Sequence, residues 1–150
     1  AFTTKESSVK YMKSSYRISP IGKKGSQYPS CWEMPVKSWI TRPTDETGTV
    51  KAGKVQIVGV AMGGTRKVRS VKVSIDGGAS WKKAKFVGPD LGKYAWRQFV
   101  LETTLTSGSY NIASLASNGG SDKQPKLRME NRRGYAHNGW MDHSVNITVV

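Results

Sequence analysis

Five basic residues, Lys123, Lys126, Arg128, Arg132 and Arg133, fall within eleven positions of one another, with Asp122 and Glu130 as the nearby acids. A cluster of this kind makes a local positive field that concentrates small anions or meets an acidic protein. A solvated loop in a basic protein has the same composition. His137, Asp142 and His143 follow closely, but the H-x5-H spacing matches no standard zinc pattern and no cysteine stands nearby. No metal site is therefore expected. Cys31 is the single cysteine; it reads as a plain thiol. There is no Gly-x-Ser-x-Gly, no phosphate loop and no convincing carboxylate pair. The chain thus shows binding chemistry for anions and no nucleophile constellation.

The composition bounds what can hold these residues. The chain has 150 residues, enough for one domain with an extension. One thiol allows no intrachain disulfide, which excludes a disulfide framework but does not fix the compartment; a periplasmic or otherwise exported setting is the expected location. No apolar run approaches the ~20 residues that span a bilayer, and the polar start Ala1–Ser8 does not read as a signal peptide. Lys plus Arg number 24 against 10 Asp plus Glu, a net charge of +14. The basic residues are spread along the chain, and no segment interleaves them with exposed aromatics as single-strand binders do. Nucleic acid is not the expected partner.

Residues 1–34 are rich in Ser, Lys, Gly and Pro, and Pro20, Gly22, Gly25 and Pro29 interrupt any regular element. They read as an extended arm whose Tyr11, Tyr16, Tyr28 and Trp32 imply packing. Residues 35–150 read as β. Lys54 to Met62 is β-branched and bounded by glycines, and should be central, with Val55, Ile57 and Gly59 on one face. Val71, Val73 and Ile75 alternate with Lys72 and Ser74, the period of a half-buried strand. These three, with Ile147 and Val149, should share the core. Asp76-Gly77-Gly78 supplies the positive-φ positions of a tight hairpin into a strand from Ser80 to Val87. Trp96–Thr104, Tyr110–Ala116 and Val145–Val150 are further strands. About seven strands with short turns and no long helical periodicity predict an all-β, immunoglobulin-like β-sandwich. Ser74 to Trp81 fits the Asp-box of sialidase propellers, but it occurs once rather than once per blade, so no propeller is expected. The local physics carries over: Asp76 should cap the turn and Trp81 fold over it. Trp39, Trp81, Trp96 and Trp140 read as core or interface aromatics.

Five segments in order resemble the C-terminal dimerisation domain of the sulfite oxidase family of molybdenum–molybdopterin oxidoreductases. They are Glu33-Met34-Pro35-Val36-Lys37-Ser38-Trp39-Ile40-Thr41-Arg42-Pro43, Val73 to Trp81, Gly88-Pro89-Asp90-Leu91-Gly92-Lys93-Tyr94-Ala95-Trp96-Arg97, Gln124-Pro125, and Asn131-Arg132-Arg133-Gly134-Tyr135 with Asn138 and Trp140. Together they cover residues 33–150, nearly the whole predicted domain.

The resemblance implies a non-catalytic domain or subunit that pairs with its own copy and helps close a substrate-anion pocket. The molybdenum–molybdopterin cofactor would sit in a separate catalytic domain, with none in this chain, and Cys31 matches no ligand motif. Arg133 stands where animal-type members place an arginine that reaches the substrate, and Arg132 is its neighbour. A guanidinium suits sulfite because its planar fork donates two charge-assisted hydrogen bonds. A cytochrome c-type protein would accept the electrons. Two other readings stand beside this one. The first is an immunoglobulin-like module that binds polyanions, glycans or an acidic protein; the second is a separate small subunit docking on a molybdenum subunit.

Overall fold

A computed structural model describes residues 3–150. It divides into two compact units. One comprises Pro35–Arg128 with Asn138–Val150; the other joins the residues up to Met34 with Met129–His137.

The larger unit is a β-sandwich. Its strands are β1 (Lys37–Arg42), β2 (Gly53–Met62), β3 (Val68–Ser74), β4 (Lys82–Lys83), β5 (Lys85–Val87), β6 (Arg97–Leu105), β7 (Gly108–Asn118) and β8 (Val145–Val149). They form two sheets, ordered β1-β2-β6-β5 and β4-β3-β7-β8, and every strand pair is antiparallel. The expected all-β sandwich is therefore present. β2 lies between β1 and β6, as its β-branched sequence suggests.

Alternate side chains from the two sheets meet in the core. Ile57, Phe99 and Ile112 are fully buried, as are Val71, Val73, Leu105 and Val149, with Ile147 close behind. Val55 and Ile75 pack against this core while partly exposed. Gly59 is required by close approach: a Cβ there would lie 2.3 Å from the Phe99 ring and 2.4 Å from the Trp39 carbonyl.

Two details differ from the sequence reading. Ser80 to Val87 is not one strand. β4 pairs with β3, and β5 pairs with β6 in the opposite sheet. The chain changes sheets at Ala84, whose N–H donates to the Val71 carbonyl (2.9 Å) while its methyl is buried. The connection from β3 to β4 is also wider than a two-residue hairpin, because Val73 pairs with Lys82. Asp76 organises the intervening loop. Its carboxylate accepts from Ser74 Oγ (2.6 Å), Ser80 N (2.9 Å) and Ser80 Oγ (2.5 Å). These bonds hold its carboxyl well below the usual carboxylate range. Gly77 and Gly78 supply the positive φ angles, +68° and +93°. Trp81 Nε1 donates back to the Gly78 carbonyl at 3.1 Å, and Trp140 packs edge-on against Trp81, ring centroids 5.1 Å apart.

A buried polar cluster ties β1 to β7. Ser38, Ser114 and Gln124 are all within 1 % of complete burial. Gln124 Oε1 accepts from Ser38 Oγ (2.5 Å) and Ala116 N (2.9 Å), and its Nε2 donates to the carbonyls of Ser38 (3.3 Å) and Asn138 (3.1 Å). Every bonding direction of the amide is used, so burial leaves nothing unpaired.

The smaller unit has little regular structure: a five-residue helix Lys10–Ser14 that buries no residue, and an isolated bridge between Arg17 and Ser30. The expected packing of the arm's aromatics is met only in part. Tyr16 stacks on Tyr135, centroids 5.9 Å apart, yet stays exposed like Tyr11 and Trp32, and Tyr28 is half-buried.

Candidate functional site

The loop carrying Arg132 and Arg133 is built by Asn131, which is 8 % exposed. Its Oδ1 accepts from the backbone N–H groups of Arg133 (3.3 Å) and Tyr135 (3.0 Å), and its Nδ2 donates to the Tyr135 carbonyl (2.8 Å). An Asn side chain that mimics a backbone turn in this way fixes the residues it spans. Gly134, at φ +69°, closes the turn, with its N–H donating to the Asn131 carbonyl at 3.2 Å. The Arg132 N–H is bonded to the carbonyl of buried Ser19 (2.8 Å), which anchors the loop to the arm. The backbone is therefore held while both arginine side chains are exposed. Among the described residues neither guanidinium is engaged in an ion pair, so both are available to an anion.

The five-residue basic cluster is divided by the fold. Arg132 and Arg133 belong to this loop, whereas Lys123, Lys126 and Arg128 belong to the sandwich unit. Arg128 is bonded to Asp142 at 2.9 Å. His137 lies 3.9 Å from Glu130 within the smaller unit, and His143 packs near Trp39, ring centroids 6.2 Å apart. No group of three potential metal ligands occurs among the described residues.

Cys31 does not fit a metal-ligand role either. It is half-buried, and burial pushes its thiol up in pKa, with the nearby Arg17 charge a smaller opposing effect. A metal ligand must be a thiolate, which this environment disfavours.

The third resembling segment also has a physical anchor. The Asp90 carboxylate accepts from Gly92 N (2.9 Å) and lies near Lys67 (3.6 Å) and Arg97 (3.8 Å). The Gly92 bond is the main reason its carboxyl titrates below the usual range. Arg97 in turn stacks on the Phe86 ring at 4.1 Å. Trp96 stands just before β6 and meets Trp39 edge-on with centroids 4.8 Å apart. Neither this pairing nor the Gln124 cluster was read from the sequence. Strand parity carries a signal for the Trp pair; a lone Gln between polar neighbours carries none.

The two antiparallel sheets define an immunoglobulin-like β-sandwich module. The family model of the Mo-co oxidoreductase dimerisation domain matches residues 28–149. The chain belongs to that family. It is similar to the mitochondrial sulfite oxidases of Macaca fascicularis and Homo sapiens, each 39% identical over 81% of this chain. It is also similar to nitrate reductase [NADH] 2 of Phaseolus vulgaris, 30% identical over 76% of this chain and 13% of that protein. Among solved structures, the sulfane dehydrogenase SoxCD of Paracoccus pantotrophus superposes with a TM-score of 0.65 at 26% identity, covering 89% of this chain and 37% of that one. The chain spans 23% of the length of the two sulfite oxidases. In the described residues no helix is long and apolar enough to cross a membrane.

Proposed function

We propose that this chain is the non-catalytic dimerisation domain or subunit of a sulfite oxidase- or sulfite dehydrogenase-type molybdenum oxidoreductase, and that its Arg132–Arg133 loop helps close the substrate-anion pocket. The observation that carries this reading is the Asn131-held loop, which fixes the backbone and leaves two unengaged guanidiniums exposed. The loop folds together with the arm, the part of the chain that precedes the sandwich. That association supports a role toward whatever precedes this domain.

Molybdenum–molybdopterin in the associated catalytic domain supplies the oxidation. Arg133 would hold a sulfite or related sulfur anion through two charge-assisted hydrogen bonds, with Arg132 adding field beside it. A cytochrome c-type protein would accept the electrons, in an exported compartment. The test is Arg133→Met in an enzyme that contains both the catalytic domain and this chain. The KM for sulfite should rise at least ~10-fold, a loss expected when a charge-assisted contact to the anion is removed. Molybdenum content should be unchanged and Arg133→Lys should restore part of the effect. An unchanged KM would refute the pocket role.

One observation favours a second reading. Lys72 and Lys83 are direct cross-strand partners on the β4-β3-β7-β8 sheet. Like charges so placed are destabilising unless a counter-charge covers them. This suits a module that binds polyanions, acidic glycans or an acidic protein. Retention on heparin-like resin at moderate salt, lost in a Lys72→Gln/Lys83→Gln variant, would support it; elution at low salt would exclude it.

A further inference from the structure

The connection from β1 to β2 joins the edges of the two sheets, since β1 and β8 are edge strands. Residues 50–52 run along β8. Val50 N donates to the Thr148 carbonyl (3.0 Å), Val150 N to the Val50 carbonyl (2.9 Å) and Ala52 N to the Val150 carbonyl (2.7 Å). Earlier in the connection Thr44 and Thr47 close a capping box, with Thr44 N donating to Thr47 Oγ1 at 2.8 Å. The backbone between the sheets is therefore held at several points.

A bulge sets the direction of Arg42. The β1–β2 register moves from Ile40 opposite Gly59 to Arg42 opposite Val58, leaving Thr41 as the extra residue. Thr41 Oγ1 donates to the Val58 carbonyl at 3.2 Å. Strict alternation would aim Arg42 inward, two positions after buried Ile40. The bulge turns it outward instead, onto the exposed side of β2 that carries Lys54 and Gln56.

Arg42, Lys51 and Lys54 thereby line one open cleft of about 390 Å³, together with Thr47 and Thr49. No carboxylate lines it. Asp45 and Glu46 lie on the same connection but outside the lining. Glu102 is also outside it, hydrogen-bonded to Gln56 at 2.9 Å. Among the described residues no ion pair engages Arg42, Lys51 or Lys54. Like charges around one concavity repel each other and focus a positive field into it. A divalent oxyanion relieves that repulsion. A guanidinium gives it paired hydrogen bonds, and the ammonium groups act as point charges. The cleft's volume lies within the range of about 300–1,000 Å³ typical of small-molecule sites, so it has room for a small ester as well as a free anion.

We propose that this cleft is an anion site of its own, taking a divalent tetrahedral oxyanion, sulfate or phosphate, either free or as a small ester. It lies wholly within the sandwich unit and does not depend on the role proposed for Arg132 and Arg133.

The test is isothermal titration calorimetry at low ionic strength on the 150-residue chain carrying Arg132→Met and Arg133→Met, so that the other arginine loop is not counted. The probes are inorganic sulfate, inorganic phosphate and phenyl phosphate. At least one should bind saturably. Arg42→Met, or Lys51→Met with Lys54→Met, should weaken that binding at least ~10-fold, the loss expected for a charge-assisted contact. Lys126→Met removes the same charge elsewhere and should leave it unchanged. Arg42→Lys should fall between, because it keeps the charge and loses the paired bonds. Circular dichroism checks each fold, and the lysine pair replaces Arg42→Met if that variant does not fold. Tighter binding of phenyl phosphate than of phosphate identifies an ester as the occupant; equal or weaker binding identifies the free anion. Three outcomes overturn the proposal: no saturable binding of any probe, binding unchanged in the folded cleft variants, or an equal loss in Lys126→Met.

Discussion

Replacing Gln124 with Met keeps the side chain's length and removes all four of its hydrogen bonds. The consequences follow from what each former partner can do instead. Ser38 Oγ retains Ser114 Oγ at 2.9 Å, so it stays satisfied. The Ala116 N–H loses the acceptor it has in Gln124 Oε1 and is buried in β7. The Ser38 and Asn138 carbonyls each lose a donor. One orphaned buried donor costs about 1–3 kcal/mol, and under-satisfied carbonyls cost less each. The apolar thioether recovers part of this, so the net loss should be about 2–4 kcal/mol. At ~2–4 °C per kcal/mol for a domain of this size, Tm should fall by roughly 5–15 °C. Urea unfolding followed by Trp fluorescence measures it, with an unchanged slope showing that only stability moved. Ser114→Ala should cost only about 1 kcal/mol, because Ser38 Oγ keeps Gln124. Exposed Lys126→Met should stay within about 0.5 kcal/mol. A Gln124→Met loss below ~0.5 kcal/mol would refute the claim that the buried Ala116 N–H depends on this amide for its acceptor.

Other outcomes can be checked on the same chain. Val73→Ala, at a position 1 % exposed, should cost on the order of 1–3 kcal/mol by denaturant titration; a neutral result would mean the β3 register is off by one. Asp76 titrates below its usual range when folded. Its contribution is therefore complete above the unfolded carboxylate pKa of about 4 and is lost as pH falls toward the lower folded value. Wild type should accordingly melt above Asp76→Asn at neutral pH, and the gap should narrow in acid; a gap constant with pH would contradict the carboxylate's role. Self-association should tighten, or at least survive, as salt rises, since salt screens the repulsion between two chains of +14 each; dissociation by moderate salt, seen in sedimentation, would show that charge pairs rather than apolar contacts hold the dimer.

The strands that the sequence makes legible are those with one buried and one exposed face. In β3, Val71 and Val73 alternate with exposed Lys72, and the pleat turns that alternation directly into burial. The sheet change at Ala84 left no such trace. The run from Lys82 to Val87 contains no Gly or Pro to mark a break, and which sheet each part joins depends on distant partners, β3 for one part and β6 for the other. The Gln124 cluster is hidden for a similar reason: its partner Ser38 lies 86 positions away in sequence, and polar residues read as solvated until the strands around them are known. Arg132 and Arg133 were visible as part of a motif. Asn131, which holds their loop, was visible only as a neighbour in that motif, because an Asn cap and a solvent-facing Asn look alike in one dimension.

The stretch from Lys123 to His143 reads as one polar loop, yet it performs two separate structural tasks. Gln124, Asn138 and Trp140 serve the sandwich: Gln124 bonds the Asn138 carbonyl, Asn138 Nδ2 donates to the Val36 carbonyl at 3.0 Å, and the Trp140 N–H donates to the Pro125 carbonyl at 2.9 Å. These contacts close the loop at its base. Met129–His137 between them belongs with the arm to the other compact unit. A loop pinned at its base by buried polar contacts can carry an excursion whose own order comes from Asn131 and Ser19. The exposed Arg132 and Arg133 side chains then need no partner from the core. The division also separates the readouts: core variants such as Val73→Ala should move stability, while Arg133 variants should move substrate affinity and leave Tm unchanged.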